Sequence, residues 1–179
     1  MPLEVFGKDP YKTLISTIMS ARTRDSVTAI VAKELFTKAP NLKSLKKLSQ
    51  KEIENLIYKV SFYKTKAKHI FDLAHTIDKV PTTHDGLMAL PGVGRKTANL
   101  VMNRAFDTPA IAVDTHVHRI TNLLGWVKTK TPEETEKALI KVLPKKYWSE
   151  TNNLFVSIGQ QYRSEKLVKE FFNKNKLIK

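Results

Sequence analysis

Lys96 closes "LPGVGRK" (residues 90–96), in which two glycines two positions apart lead into a single amine and then an apolar helical run. An amine partly withdrawn from water is a competent nucleophile for a carbonyl-like or glycosidic carbon. The run that follows places Lys96 in the first turn of a helix, where the helix dipole opposes an ammonium. Pro91 stops any helix before it, and Gly92 and Gly94 permit positive φ and close approach of another backbone. Free N–H groups at a helix start, reached across bare backbone, make an anion site that a DNA phosphate would fill, with Arg95 next to it to add charge. Contacts of that kind fix position without reading sequence. Taken alone, "GVG" suits an ordinary helix–helix turn better, and Lys96 an ordinary surface.

The second chemical group is Asp114, in "IAVDTHVHR" (residues 111–119). It follows Ile111, Ala112 and Val113, an unusual place for a carboxylate unless it is paired, capping a helix or catalytic. As N-cap of a helix running through Val117 and Ile120 it would be satisfied structurally. A cap and a catalytic carboxylate can be the same residue.

Helices must position both groups. Apolar residues recur at helical spacing in Leu14, Ile15, Ile18 and Met19, in Val27, Ile30, Val31 and Leu35, in Ile53, Leu56, Ile57 and Val60, and in Ile70, Leu73, Ala74 and Ile77. Alternating strand patterns are nearly absent. Ser49 with Glu52 and Thr131 with Glu134 have capping-box spacing, and Pro132 stands at a first helical position. Pro40, Pro81, Pro91, Pro109 and Pro144 punctuate the intervals, so the expectation is an all-α chain of about nine or ten short helices. The most interrupted stretch, 106–119, is expected to cross between two lobes.

With 179 residues and 41% hydrophobic content the chain is globular, either one domain or two small lobes. Its 31 Lys and Arg against 17 Asp and Glu leave a formal charge of +14. The excess runs through 41–68, returns at Arg95, Lys96 and Arg104, and closes at the C-terminus. Charge spread over a folded surface is how nucleic-acid binders attract phosphate, although a merely solvated lysine-rich surface has the same composition. There is no cysteine, which excludes disulfides and thiolate clusters. The histidines at 69, 75, 84, 116 and 118 include no i, i+4 pair with a partnering carboxylate, so no metal site is expected. No apolar run approaches the ~20 residues of a membrane span and the N-terminus lacks a signal-peptide core, which leads us to expect an intracellular protein of the cytoplasm or nucleoid with no membrane partner.

Together, "TLISTIMSARTRD" (13–25), "LPGVGRKTANLVMNRAF" (90–106) and "AIAVDTHVHR" (110–119) resemble the endonuclease III branch of the helix-hairpin-helix DNA glycosylases. The match runs from about residue 5 to about residue 163, and the hairpin lysine combined with the downstream "VDTH" is far more specific than either piece. The resemblance implies an all-α helix-hairpin-helix glycosylase fold of two helical lobes with a DNA-binding cleft between them. A six-helix lobe carrying the hairpin would span 5–108 and a second lobe 109–179. It implies a monomer that binds double-stranded DNA containing damaged bases or abasic sites and flips the damaged nucleotide out of the stack; the chemistry requires no cofactor, and none is expected in a chain without cysteine. The activity implied is that of a bifunctional glycosylase and abasic-site lyase for oxidised pyrimidines such as thymine glycol.

By the same similarity Lys96 would attack the sugar C1′ and Asp114 would stabilise the developing positive sugar. Gly92, Val93, Gly94, Arg95 and Thr97 would hold DNA, and His116 matches the family's histidine after the catalytic aspartate. Arg22 stands where relatives commonly have a glutamine that fills the gap left by the flipped base. Phe62 matches a wedge on the opposite strand, with Ser61 in place of a usual glycine; a core aromatic is the plainer reading of Phe62. Asp25 matches a carboxylate of the other cleft wall and is read here as a hydrogen-bonding or capping residue.

Two departures from the family pattern stand out. Most relatives follow the counterparts of Gly159 and Gln160 with four cysteines holding an iron–sulfur cluster, whereas Arg163 stands near the first of these positions and no cysteine follows. The cluster's structural role would fall to Leu167, Val168, Phe171 and Phe172, at helical spacing, and its basic loop to Lys166, Lys169, Lys174, Lys176 and Lys179. The helix that relatives place before residue 5 is expected to be missing or shortened, and with it lower stability or altered DNA affinity. Two alternatives stay open: a uracil or thymine mismatch glycosylase, and a catalytically weak DNA-binding module. Retention of both Lys96 and Asp114 favours the bifunctional enzyme, because monofunctional relatives lack a lysine at the hairpin.

Overall fold

The structure, a computed structural model, describes residues 8–175. The expectations for Lys176 and Lys179, and the start of the resemblance near residue 5, lie outside the described residues. Among the described residues there are eleven α-helices, one 3-10 turn and no strand. The all-α expectation holds, with slightly more helices than the nine or ten anticipated. The single-turn α3 (Leu42–Leu45) and the five-residue α6 (His84–Met88) are too short to leave a periodic signature. The chain divides between Thr108 and Pro109 into two compact units.

The first unit is built around α1 (Pro10–Ser20), which buries every residue from Thr13 to Met19. A helix that is apolar on most faces belongs inside; its Ser16, Thr17 and Ser20 hydroxyls bond back to carbonyls of the same helix, whereas the Thr13 hydroxyl is buried without a hydrogen-bond partner among the described residues. Thr17 Oγ1 donates to the Thr13 carbonyl at 2.7 Å and Ser16 Oγ to the Lys12 carbonyl at 2.5 Å. Asp9 caps the start by accepting from the Lys12 N–H at 3.0 Å, with Pro10 in the first helical position. Around α1 pack α2 (Asp25–Lys38), α5 (Tyr63–Thr76) and α7 (Arg95–Phe106), while α4 (Gln50–Ile57) lies against α2 and α5. The Ser49–Glu52 capping box forms in full at the start of α4.

Some expected positions differ. Ile30 is 56% exposed, because α2 turns only Val31, Ala32, Leu35 and Phe36 to the apolar interior. Asp25 is the first helical residue of α2 and not its cap; Arg24 holds the cap position and no side chain caps that helix. The Thr131–Glu134 box is half formed. Thr131 Oγ1 accepts from the Glu134 N–H at 3.2 Å, but the Glu134 carboxylate reaches back to the Lys130 N–H at 2.8 Å.

The second unit contains α8 (Thr115–Leu123), α9 (Pro132–Val142), α10 (Trp148–Gln161) and α11 (Glu165–Lys174). Helices α9, α10 and α11 all pack on α8. Val168 and Phe172 of α11 join Val117, Ile120, Phe155 and Ile158 in one apolar cluster, and Phe171 packs against its edge, stacked on Tyr162 with ring centroids 4.7 Å apart. Leu167 is 45% exposed and does not take part, one helical position being enough to turn it outward. Lys166, Lys169 and Lys174 are exposed on the same helix.

This packing makes α11 integral to the second unit. Phe172→Ala should destabilise that unit by about 3–5 kcal/mol, and Leu167→Ala by less than about 1 kcal/mol. Both tryptophans, Trp126 and Trp148, lie in this unit, so urea unfolding followed by tryptophan fluorescence measures it directly. Equal effects of the two substitutions would contradict the packing described.

Candidate functional site

The hairpin expected from "LPGVG" joins α6 to α7. Val93 is buried and its N–H donates to the Leu90 carbonyl at 3.1 Å, which closes the turn. Gly92 has φ of +75°, and a Cβ placed there would lie 2.6 Å from His69 Nδ1 and 2.9 Å from the His69 Cβ. The fold itself therefore demands glycine at 92. Gly94 differs: it caps α7 at φ −96° and ψ 175°, a conformation open to any residue, and a Cβ there would meet nothing within 4 Å. Positive φ is required at only one of the two glycines. At the other, bare backbone faces open space.

Arg95, Lys96 and Thr97 form the first turn of α7, whose start has no side-chain cap. Lys96 is exposed, and Arg95 and Thr97 are half-buried. Behind them Ala98, Asn99, Val101 and Met102 are buried, so the turn rests on packed structure.

Arg22 and Phe62, distant in sequence, come together. Each has left-handed backbone, φ 55° at Arg22 and 57° at Phe62. For non-glycine residues such conformations cost about 1–3 kcal/mol each and persist only where the surroundings over-determine them. The Arg22 guanidinium sits 5.7 Å from the Phe62 ring centroid. Phe62 is 61% exposed, so it is not the core aromatic of the plainer reading.

Lys66, which sequence reasoning passed over, lies beneath this pair. It is buried, and its Nζ donates to the carbonyls of Met19 at 2.7 Å and Ala21 at 2.6 Å and to Thr23 Oγ1 at 3.1 Å. Burial pulls its pKa down to about 8, while three oxygen acceptors favour the charged form. One lysine among many carries no signal of burial in a sequence; only its place four residues after Phe62 hinted at a shared helix face.

In the second unit Asp114 is the N-cap of α8. Its Oδ1 accepts from the N–H groups of His116 at 2.9 Å and Val117 at 3.0 Å, which holds the half-buried carboxylate in one orientation. The His116 ring lies against Gly159 of α10 so closely that a Cβ at 159 would sit 2.2 Å from its Nδ1. His116 and Gly159 border an open cavity of about 580 Å³, lined also by Thr115, Arg119, Gln160 and Arg163. Arg119 Nη1 donates to the Arg163 carbonyl at 3.1 Å. Arg119 was not singled out from sequence, although it lies one helical turn after His116. Arg163 had been read only as a replaced cysteine.

No thiolate is available to ligate an iron–sulfur cluster, since the chain has no cysteine. Among the described residues no group of three or more His, Asp or Glu is placed to hold a metal ion. The cluster expected in relatives does not fit this chain.

The family described as HhH-GPD superfamily base excision DNA repair protein matches residues 15–145. Endonuclease III of Thermotoga maritima is 44% identical, over 93% of this chain and 82% of that protein. Endonuclease III-like protein 1 of Mus musculus is 42% identical over 84% of this chain, which spans only 53% of the mouse protein's length. Among solved structures, a trapped endonuclease III–DNA covalent intermediate superposes with a TM-score of 0.82 at 37% identity, over 87% of this chain and 76% of that one.

The contrast between the two hairpin glycines gives a test. Gly94→Ala should cost the free protein at most about 1 kcal/mol and weaken duplex DNA binding about tenfold, the value of one charge-assisted hydrogen bond displaced. Gly92→Ala should lower the melting temperature markedly, through positive φ and the clash with His69. Thermal melts paired with DNA titrations separate the two effects; wild-type affinity in Gly94→Ala would show that no ligand approaches there.

Proposed function

The chain belongs to the HhH-GPD superfamily of base excision DNA repair proteins, and from that premise we propose that it is a bifunctional DNA glycosylase and abasic-site lyase. Its substrate is duplex DNA carrying oxidised pyrimidines such as thymine glycol, or an abasic site, and it works where genomic DNA is kept. The single observation that carries the reading is the hairpin. An exposed lysine stands two residues past an uncapped helix start whose cap glycine faces open space.

In this reading a DNA phosphate settles on the N–H groups around Gly94 and Arg95, and the flipped nucleotide's sugar comes within reach of Lys96. The amine lone pair bonds to C1′ while the glycosidic bond breaks and the base leaves with its electrons and a proton. Loss of the amine proton and opening of the sugar ring give a Schiff base. Loss of a C2′ proton then expels the 3′ phosphate by β-elimination, and water hydrolyses the imine to return Lys96. Asp114, held by its cap bonds, stabilises the positive sugar and assists the proton transfers.

Arg22 fills the gap left by the flipped nucleotide and Phe62 wedges the opposite strand, supported by their exposure and mutual contact. Gly92, Val93, Thr97 and His116 complete the DNA-holding set, and Arg119 and Arg163 give the second unit's cavity a positive wall for phosphate. The first unit, as far as Thr108, is the lobe that carries the hairpin. No cofactor takes part in this chemistry.

Borohydride reduces a lysine Schiff base to a stable amine, so a covalent protein–DNA complex should form on duplexes carrying thymine glycol or an abasic site. Lys96→Gln should abolish trapping while leaving DNA affinity within about threefold of wild type, since phosphate contacts dominate binding. Asp114→Asn keeps a competent N-cap and should slow base release about 100-fold or more. Full trapping by Lys96→Gln would refute the assignment of the nucleophile. Trapping confined to the abasic duplex would keep the lyase and redirect the search for a base to mismatches.

A further inference from the structure

We infer that Lys66 is a positioning residue for DNA recognition: its buried ammonium clamps the loop bearing Arg22 to the loop bearing Phe62, so that both side chains meet the duplex as one unit. This rests on the reading of Arg22 and Phe62 as gap and wedge residues, and adds the group that sets their geometry.

Lys66 Nζ bonds the carbonyl of Ala21 at 2.6 Å and the hydroxyl of Thr23 at 3.1 Å, one on either side of Arg22. The same Thr23 hydroxyl accepts the Ser61 N–H at 3.1 Å, the residue immediately before Phe62. One cation thus brackets the first residue and, through a single oxygen, holds the approach to the second. Its third bond, to the Met19 carbonyl at 2.7 Å, fixes the assembly to the end of α1. That helix has no basic residue in its own last turn, and Lys66 supplies the cation its C-terminal carbonyls favour.

Both recognition residues need such support. Their left-handed backbone is not one that arginine or phenylalanine adopts unaided, and no glycine lies at either position. An apolar side chain of similar length would fill the space around Lys66 without the cost of desolvating an ammonium. The bonds, not the volume, are what the lysine contributes. A pair held in its inserting geometry before DNA arrives loses less freedom on binding, which favours the gapped duplex over an intact one.

The test compares wild type, Lys66→Met, Thr23→Val, Arg22→Ala/Phe62→Ala and the triple variant with Lys66→Met. Each is titrated at one salt concentration with a duplex holding a tetrahydrofuran abasic analogue and with the intact duplex. The ratio of the two affinities should fall about tenfold in Lys66→Met and a few-fold in Thr23→Val, with intact-duplex affinity unchanged. Lys66→Met should add nothing to the Arg22→Ala/Phe62→Ala loss, as expected of residues acting as a unit. A wild-type ratio in Lys66→Met overturns the inference, as does a loss that adds in full to the double variant's. Should Lys66→Met fail to fold, Thr23→Val, alone and combined with Arg22→Ala/Phe62→Ala, carries the same two outcomes. A wild-type ratio in Arg22→Ala/Phe62→Ala overturns both the gap-and-wedge reading and this one. Borohydride trapping is read separately, so a protein that discriminates abasic DNA through Lys66 without being trapped supports this inference and overturns the lyase.

Discussion

The Lys66 ammonium, held by three neutral oxygens and no carboxylate, is the interaction on which the first unit's surface depends. It belongs to a row on α5. Phe62 stands at the start of that helix, Lys66 four residues on, and His69 three further, a spacing that puts all three on one face. Phe62 ends one left-handed loop, Lys66 ties down the other, and His69 lies under Gly92 of the hairpin. Ala67, Ile70, Leu73 and Ala74 sink the helix into the core. A shift of α5 by one residue would move all three surface features together, because packed interiors transmit displacement and do not absorb it.

Glycines separate what the fold requires from what a ligand requires. At 92 and 159 a methyl group would collide with a histidine ring, and at 92 the backbone is left-handed as well. Those glycines are explained by the free chain. At 94 the backbone is ordinary and the space empty, so folding alone gives no reason to leave out a side chain. The start of α7 has no side-chain cap either, and the proposed phosphate contact would account for both features.

Motifs whose meaning is local were legible in the sequence. Asp114 shows its capping role in its own neighbourhood, and the start of α7 at Gly94 and Arg95 follows from proline, glycine and the apolar run. The all-α class followed from periodicity. What was not legible depends on partners remote in sequence. Lys66 binds oxygens more than forty residues before it, and nothing in "YKTKAK" distinguishes it from its two lysine neighbours. Phe62 was open between core and surface because an aromatic fits either, and only the left-handed turn that ejects it decides. Leu167 shows the opposite failure, since helical spacing grouped it with Val168 and Phe172 although it lies off their face.

The second unit is held together by apolar packing and not by metal–thiolate bonds. A thiolate cluster joins chain segments by directional bonds to metal, which makes stability depend on metal supply and on thiol oxidation state. Here α11 is held to α8 and α10 through Val168 and Phe172, by burial that is non-directional and tolerant of volume-conserving change. The Arg119 bond to the Arg163 carbonyl adds a polar tie between α8 and the segment that leads into α11. Because Asp114 and His116 sit at the N-terminus of α8, the apolar seam that supports α8 also supports them. The position of a carboxylate in this unit therefore depends on hydrophobic packing, and oxidants that attack cluster ligands find no thiol here to act on.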